Sequence, residues 1–76
     1  MSMNDTVRRL VLERGGRFTT RDMADVLAAM FPGYDPTYYR AKAYNALKEM
    51  EDDGLVRSEL SATYRAPNHR VWEVLA

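Results

Sequence analysis

The apolar pattern of this chain changes period at Gly54. Before that residue, valine, leucine, methionine and alanine recur three and four positions apart, the spacing that lines one face of a helix. After it, Leu55-Val56 and Val71 to Leu75 are short runs rich in branched and aromatic side chains, the pattern of strands. Helical patterns first and strands afterwards restrict the chain to an α+β arrangement. With 76 residues, such a chain buries only about 60% of the surface its unfolded form exposes, so each apolar face has to be used.

The first helix is expected from about Asp5 to Arg14, with Met3, Val7, Leu10 and Val11 along its apolar side. Asn4 or Asp5 can cap it, and Gly15-Gly16 supply left-handed residues to end it. Arg17-Phe18-Thr19 reads as a short strand. A second helix begins at Thr19-Thr20, where Thr19 and Asp22 approximate a capping box. Met23, Val26, Leu27 and Met30 form its apolar stripe, and Ala24, Ala28 and Ala29 allow close packing beside it. Phe31-Pro32-Gly33-Tyr34 breaks this helix, and Asp35-Pro36 starts the next, an acidic cap followed by a proline in the first turn. The third helix runs to about Asp53, with Tyr39, Ala43, Ala46, Leu47 and Met50 on its core face and Gly54 as its stop. A strand from Leu55 to about Leu60, a polar loop from Ser61 to Arg70 and a strand from Val71 to Leu75 complete a hairpin. Trp72 and Val74 share the face of the last strand that packs on the third helix. There is no internal repeat, and residues 1–76 read as a single domain with an ordered core from about 5 to 75.

Composition excludes several function classes. Apolar residues at 46% and charged residues at 29% describe a folded chain rather than a disordered one. There is no cysteine, and the single His69 has no second ligand at a useful spacing, so neither a metal site nor another cofactor is expected. The polar stretch from Met1 to Arg9 lacks the apolar core of a signal peptide, and no run is long enough to span a bilayer. A cytoplasmic protein follows as the expectation, associated with the nucleoid if it binds DNA. Catalysis is not expected: Glu49, Glu51, Asp52 and Asp53 crowd one helix end instead of facing each other across a cleft.

The order of elements, with a short turn between the second and third helices, resembles the winged helix-turn-helix superfamily of DNA-binding domains. The stretch Ala43-Tyr44-Asn45-Ala46-Leu47-Lys48-Glu49-Met50-Glu51-Asp52-Asp53-Gly54-Leu55-Val56 looks like a recognition helix leading into a wing. Arg17-Phe18-Thr19-Thr20-Arg21-Asp22-Met23-Ala24 is similar to the approach to the second helix in that superfamily. The resemblance covers about Asp5 to Leu75 and points to no subfamily. It implies a third helix in the major groove of double-stranded DNA, a second helix crossing above it, and a wing on the backbone or minor groove.

The order of the charges decides whether that implication is reasonable. Eleven basic and eleven acidic side chains give a formal net charge of zero, which argues against a non-specific nucleic-acid coater. The charges are nevertheless sorted: from Pro36 to Lys48 the third helix carries bases and no acid, and from Glu49 to Asp53 acids and no base. The expected outer face comprises Ala41, Lys42, Tyr44, Asn45 and Lys48, with Thr37, Tyr38 and Arg40 beside them. Asn45 is the best candidate for reading an adenine, and arginine or lysine can donate to guanine. Tyr38 and Tyr44 can donate to phosphates or pack against a neighbouring element. Thr20 and Arg21 lie where free helix amides attract phosphate. Arg65, Asn68, His69 and Arg70 form a basic wing loop suited to phosphate or minor-groove contact. A solvated face explains the same pattern without a ligand. The alternative reading is a protein–protein interaction module or adaptor using the acidic patch Glu49, Glu51, Asp52 and Asp53. A homodimer would use the first helix or the outer face of the hairpin.

Overall fold

A computed structural model of the chain describes residues 3–59 and 70–75. In chain order the elements are α1 (Met3–Arg14), β1 (Arg17–Thr19), α2 (Thr20–Met30), α3 (Pro36–Asp52), β2 (Val56–Glu59) and β3 (Val71–Val74). The strands form one antiparallel sheet in the order β1-β3-β2. The last strand therefore lies in the middle, with Phe18 opposite Trp72 on one side and Ser58 opposite Trp72 on the other.

Local chemistry sets the helix boundaries. Thr19 Oγ1 accepts from the Asp22 amide at 3.1 Å and Asp22 Oδ2 accepts from the Thr19 amide at 2.9 Å, so the capping box is complete despite the short aspartate. Asp35 Oδ1 accepts from the Thr37 amide at 2.8 Å at the start of α3, with Pro36 in the first turn. At the other end Gly54 has a φ of 79°, and the Gly54 and Leu55 amides donate back to the Glu51 and Met50 carbonyls at 3.0 and 2.9 Å. This pair of bonds is a Schellman motif, which needs a left-handed residue at the glycine position. The start of α1 differs from expectation. Asn4 and Asp5 lie inside the helix rather than ahead of it, and the Asn4 side-chain amide donates to Glu49 of α3 at 3.1 Å.

The helices pack on one face of the sheet. Val7 and Val11 of α1, Met23, Ala24 and Leu27 of α2, and Tyr39, Ala43, Ala46, Leu47 and Met50 of α3 enclose Phe18, Val56 and Trp72. Ala43 and Ala46 have no exposed surface, so nothing larger than a methyl separates the α3 backbone from its neighbours there. Trp72 is fully buried, and its indole N–H donates to Thr20 Oγ1 at 2.8 Å, joining β3 to the first turn of α2. The opposite face of the sheet is charged: Glu73 lies between Arg17 and Arg57 across the strands, and Arg57 Nε forms an ion pair with Glu73 Oε1 at 2.6 Å. Met30, expected on the apolar stripe of α2, is the last residue of that helix and is 48% exposed, whereas Leu27 three positions earlier is fully buried. The connection to α3 is pinned by Tyr39, whose hydroxyl donates to the Phe31 carbonyl and accepts from the Tyr34 amide. No helix among the described residues is long and apolar enough to cross a membrane.

Candidate nucleic-acid interface

The outer face of α3 follows from its core face. Residues 100° apart around the axis leave Thr37, Ala41 and Asn45 exposed once Tyr39, Ala43, Ala46 and Leu47 are buried. Asn45 has no hydrogen-bond partner among the described residues, so its amide is available to a base edge. Arg40 is exposed and without an ion pair there; its charge, after the Thr37 hydrogen bonds, helps to hold the Asp35 carboxyl below its ordinary value. Thr37 itself gives its amide to Asp35. Lys42 is half-buried, with its ammonium 5.5 Å from the centre of the Tyr38 ring. Tyr38 in turn stacks on Tyr34 with centroids 4.4 Å apart. Of the two roles open to it, Tyr38 takes the packing one, and so does Tyr44, half-buried and edge-on to Trp72 at 6.1 Å.

The first turn of α2 departs from the expected phosphate site. Thr20 has no exposed surface: its hydroxyl accepts from Trp72 and its amide donates to the Arg70 carbonyl at 3.2 Å. It is a core residue and cannot reach a phosphate. Asp22 places a carboxylate at the same helix end, which competes with any anion there. Arg21 remains exposed, without an ion pair among the described residues. The wing residues Arg65, Asn68 and His69 lie outside the described residues. Arg70 lies at the foot of β3, half-buried, its guanidinium 5.6 Å from the Tyr44 ring centre and 5.7 Å from that of Trp72.

The acidic end of α3 does not form one patch. Successive carboxylates fan around the helix, and most meet a partner. Asp53 accepts from Arg8 of α1 at 2.6 Å, and Glu49 from Asn4. Glu51 turns the other way, accepting from Ser58 Oγ of β2 at 2.6 Å and from Lys48 Nζ at 3.0 Å. Asp52 alone of the four is exposed without a partner among the described residues. Sorted along the sequence, the charges therefore meet in space at Glu51 and Lys48. The Glu51 carboxyl is held below the ordinary range by the Ser58 hydroxyl and then by Lys48, while the hydrogen bond to Glu51 raises Lys48. The i,i+3 spacing of Lys48 and Glu51 is a sequence signal for that pair; nothing local points to Ser58.

Beside this face, a recess of about 270 Å³ opens between α2 and the start of α3, walled by Ala28, Pro32, Tyr34, Tyr39 and Arg40 among others. Exposed Phe31 and Tyr34 belong to this connection, and exposed Met30 ends α2 beside it. No known family model, curated protein or solved structure matches this chain.

Proposed function

We propose that this chain is a winged helix-turn-helix domain that binds double-stranded DNA and acts as a small transcriptional regulator. In this reading α3 lies in the major groove and the β2–β3 hairpin flanks the adjoining backbone. Three packed helices with a connection spanning only residues 31–35, backed by a small antiparallel sheet, are consistent with that geometry. The observation that carries the reading is the disposal of the carboxylates. Glu49 and Asp53 are turned onto α1, Glu51 is paired with Lys48 and bonded to Ser58 of the hairpin, and Thr37, Arg40, Ala41 and Asn45 stay exposed on α3. A chain of zero net charge thereby presents an outer helix face able to approach phosphates and base edges.

Fluorescence anisotropy with random-sequence duplex between 50 and 200 mM salt tests this. Binding is expected to weaken steeply with salt, since each neutralised phosphate contributes about one unit to the logarithmic slope. Selection from random duplexes is expected to give an altered preferred sequence for Asn45→Ala, while Arg21→Ala weakens all sequences alike. No retention of duplex at the lowest salt would sink the proposal.

A second reading, a protein-interaction module, is favoured by the exposed Tyr34 at the recess and by exposed Met30 and Phe31 just before it in the chain, rather than by the dispersed acids. Loss of duplex binding in Tyr34→Ser would count against separating the two surfaces; loss of partner capture with duplex binding intact would support this second use.

A further inference from the structure

The cleft between α3 and the hairpin brings together groups that favour an anion. Lys48 reaches into it from α3, Ser58 from β2 and Arg70 from the foot of β3, where Arg70 Nη1 lies 3.5 Å from Ser58 Oγ. The rings of Tyr44 and Trp72 fix the guanidinium from beneath. Its Nε is buried and has no hydrogen-bond partner among the described residues. The Glu51 carboxylate sits among these donors, bonded to Ser58 and Lys48, and its side chain keeps 27% of its surface open to solvent. Two cations and a hydroxyl thus surround one carboxylate, leaving the cluster with a surplus positive charge.

A phosphodiester carries the same single charge as a carboxylate and accepts hydrogen bonds through two free oxygens in a similar way. We infer that this cleft is a phosphodiester subsite for the duplex backbone, and that Glu51 occupies it in the free protein in place of the phosphate. The inference rests on the DNA-binding reading and adds a competition to it. Binding the strand that passes between α3 and the hairpin requires Lys48 to leave Glu51. Glu51 thereby limits the affinity of the whole domain, and Lys48, though on the outer face, adds little to it until released.

Four variants measured by duplex anisotropy across the same salt range test this: Glu51→Gln, Asp52→Asn, Lys48→Ala and the Lys48→Ala/Glu51→Gln pair. Asp52→Asn makes the same charge change one residue along, where no described residue is held. Glu51→Gln is expected to bind about five- to tenfold tighter than Asp52→Asn, with a salt slope steeper by about one. Lys48→Ala should cost less than about twofold in the natural protein yet abolish the gain of Glu51→Gln. Equal gains for Glu51→Gln and Asp52→Asn, or equal costs of Lys48→Ala in both backgrounds, would overturn the inference and leave DNA binding standing. If none of the proteins retains duplex, both fall. A readout on the unmutated protein does not depend on a folded variant: on adding duplex, the Glu51 carboxyl carbon signal should shift while that of Glu49 stays. No difference between the two signals counts against the subsite.

Discussion

Thr20 shows how a single hydroxyl changes its meaning with context. In the chain it stands beside Arg21 at the start of a helix; in the fold it is the buried acceptor for the Trp72 indole, a partner 52 residues away. No local pattern carries that separation, whereas the exposed Asn45 and the buried Leu47 were legible from periodicity alone. Thr20→Val removes the acceptor and leaves a buried N–H unpaired, a loss of about 1–3 kcal/mol, to be read from urea unfolding; Thr20→Ser should retain most of the stability. Glu51 gives a pH signature. Its carboxyl titrates below the ordinary 4.5 because Ser58 and then Lys48 donate to the charged form. A lowered folded value means that the contribution is complete above the unfolded value and is lost as pH falls through the folded one. Urea midpoints recorded from pH 6 down to pH 3 should therefore fall less steeply for Glu51→Gln than for the natural protein. The same tie raises Lys48, so its share persists below 10.5 and disappears as pH climbs through the raised value.

At the scale of elements, helix ends separate what the sequence reveals from what it hides. The boundaries of α3 were legible because Asp35-Pro36 and Gly54 act on the nearest turns of backbone. The start of α1 was not, because Asn4 spends its amide on Glu49, a surface partner 45 residues along the chain, and the exposure of Met30 is set by tertiary packing that periodicity does not carry. Gly54→Ala forces a side chain into the left-handed conformation at 79°, at a cost of about 1–2 kcal/mol measurable by thermal unfolding. Tyr39→Phe tests the connection between α2 and α3. Without the hydroxyl, the Tyr34 amide loses its acceptor and the Phe31 carbonyl its donor. Amide exchange at Tyr34 should quicken while the core amides of α1 change little, with a net destabilisation of about 1 kcal/mol.

For the whole molecule, the small core sets the tolerance to change. Leu47→Ala removes a fully buried side chain and is expected to cost about 2–5 kcal/mol, a large part of the roughly 5–15 kcal/mol available to a small domain. Circular dichroism should show that variant partly unfolded at 37 °C and refolded by cooling to 15 °C. The α+β class and the pairing of β2 with β3 were readable from the change of period at Gly54. The pairing of β1 with β3 was not, because three residues of strand carry too little pattern to choose a partner. That central position of β3 has a consequence for biosynthesis. Residues 17–19 and 56–59 are made before residues 71–74, so neither β1 nor β2 has its sheet neighbour until the last strand is synthesised. Until the tryptophan-bearing strand slides between them, the nascent polypeptide has helices but no sheet, and it is in that interval that its unpaired edges are open to wrong partners.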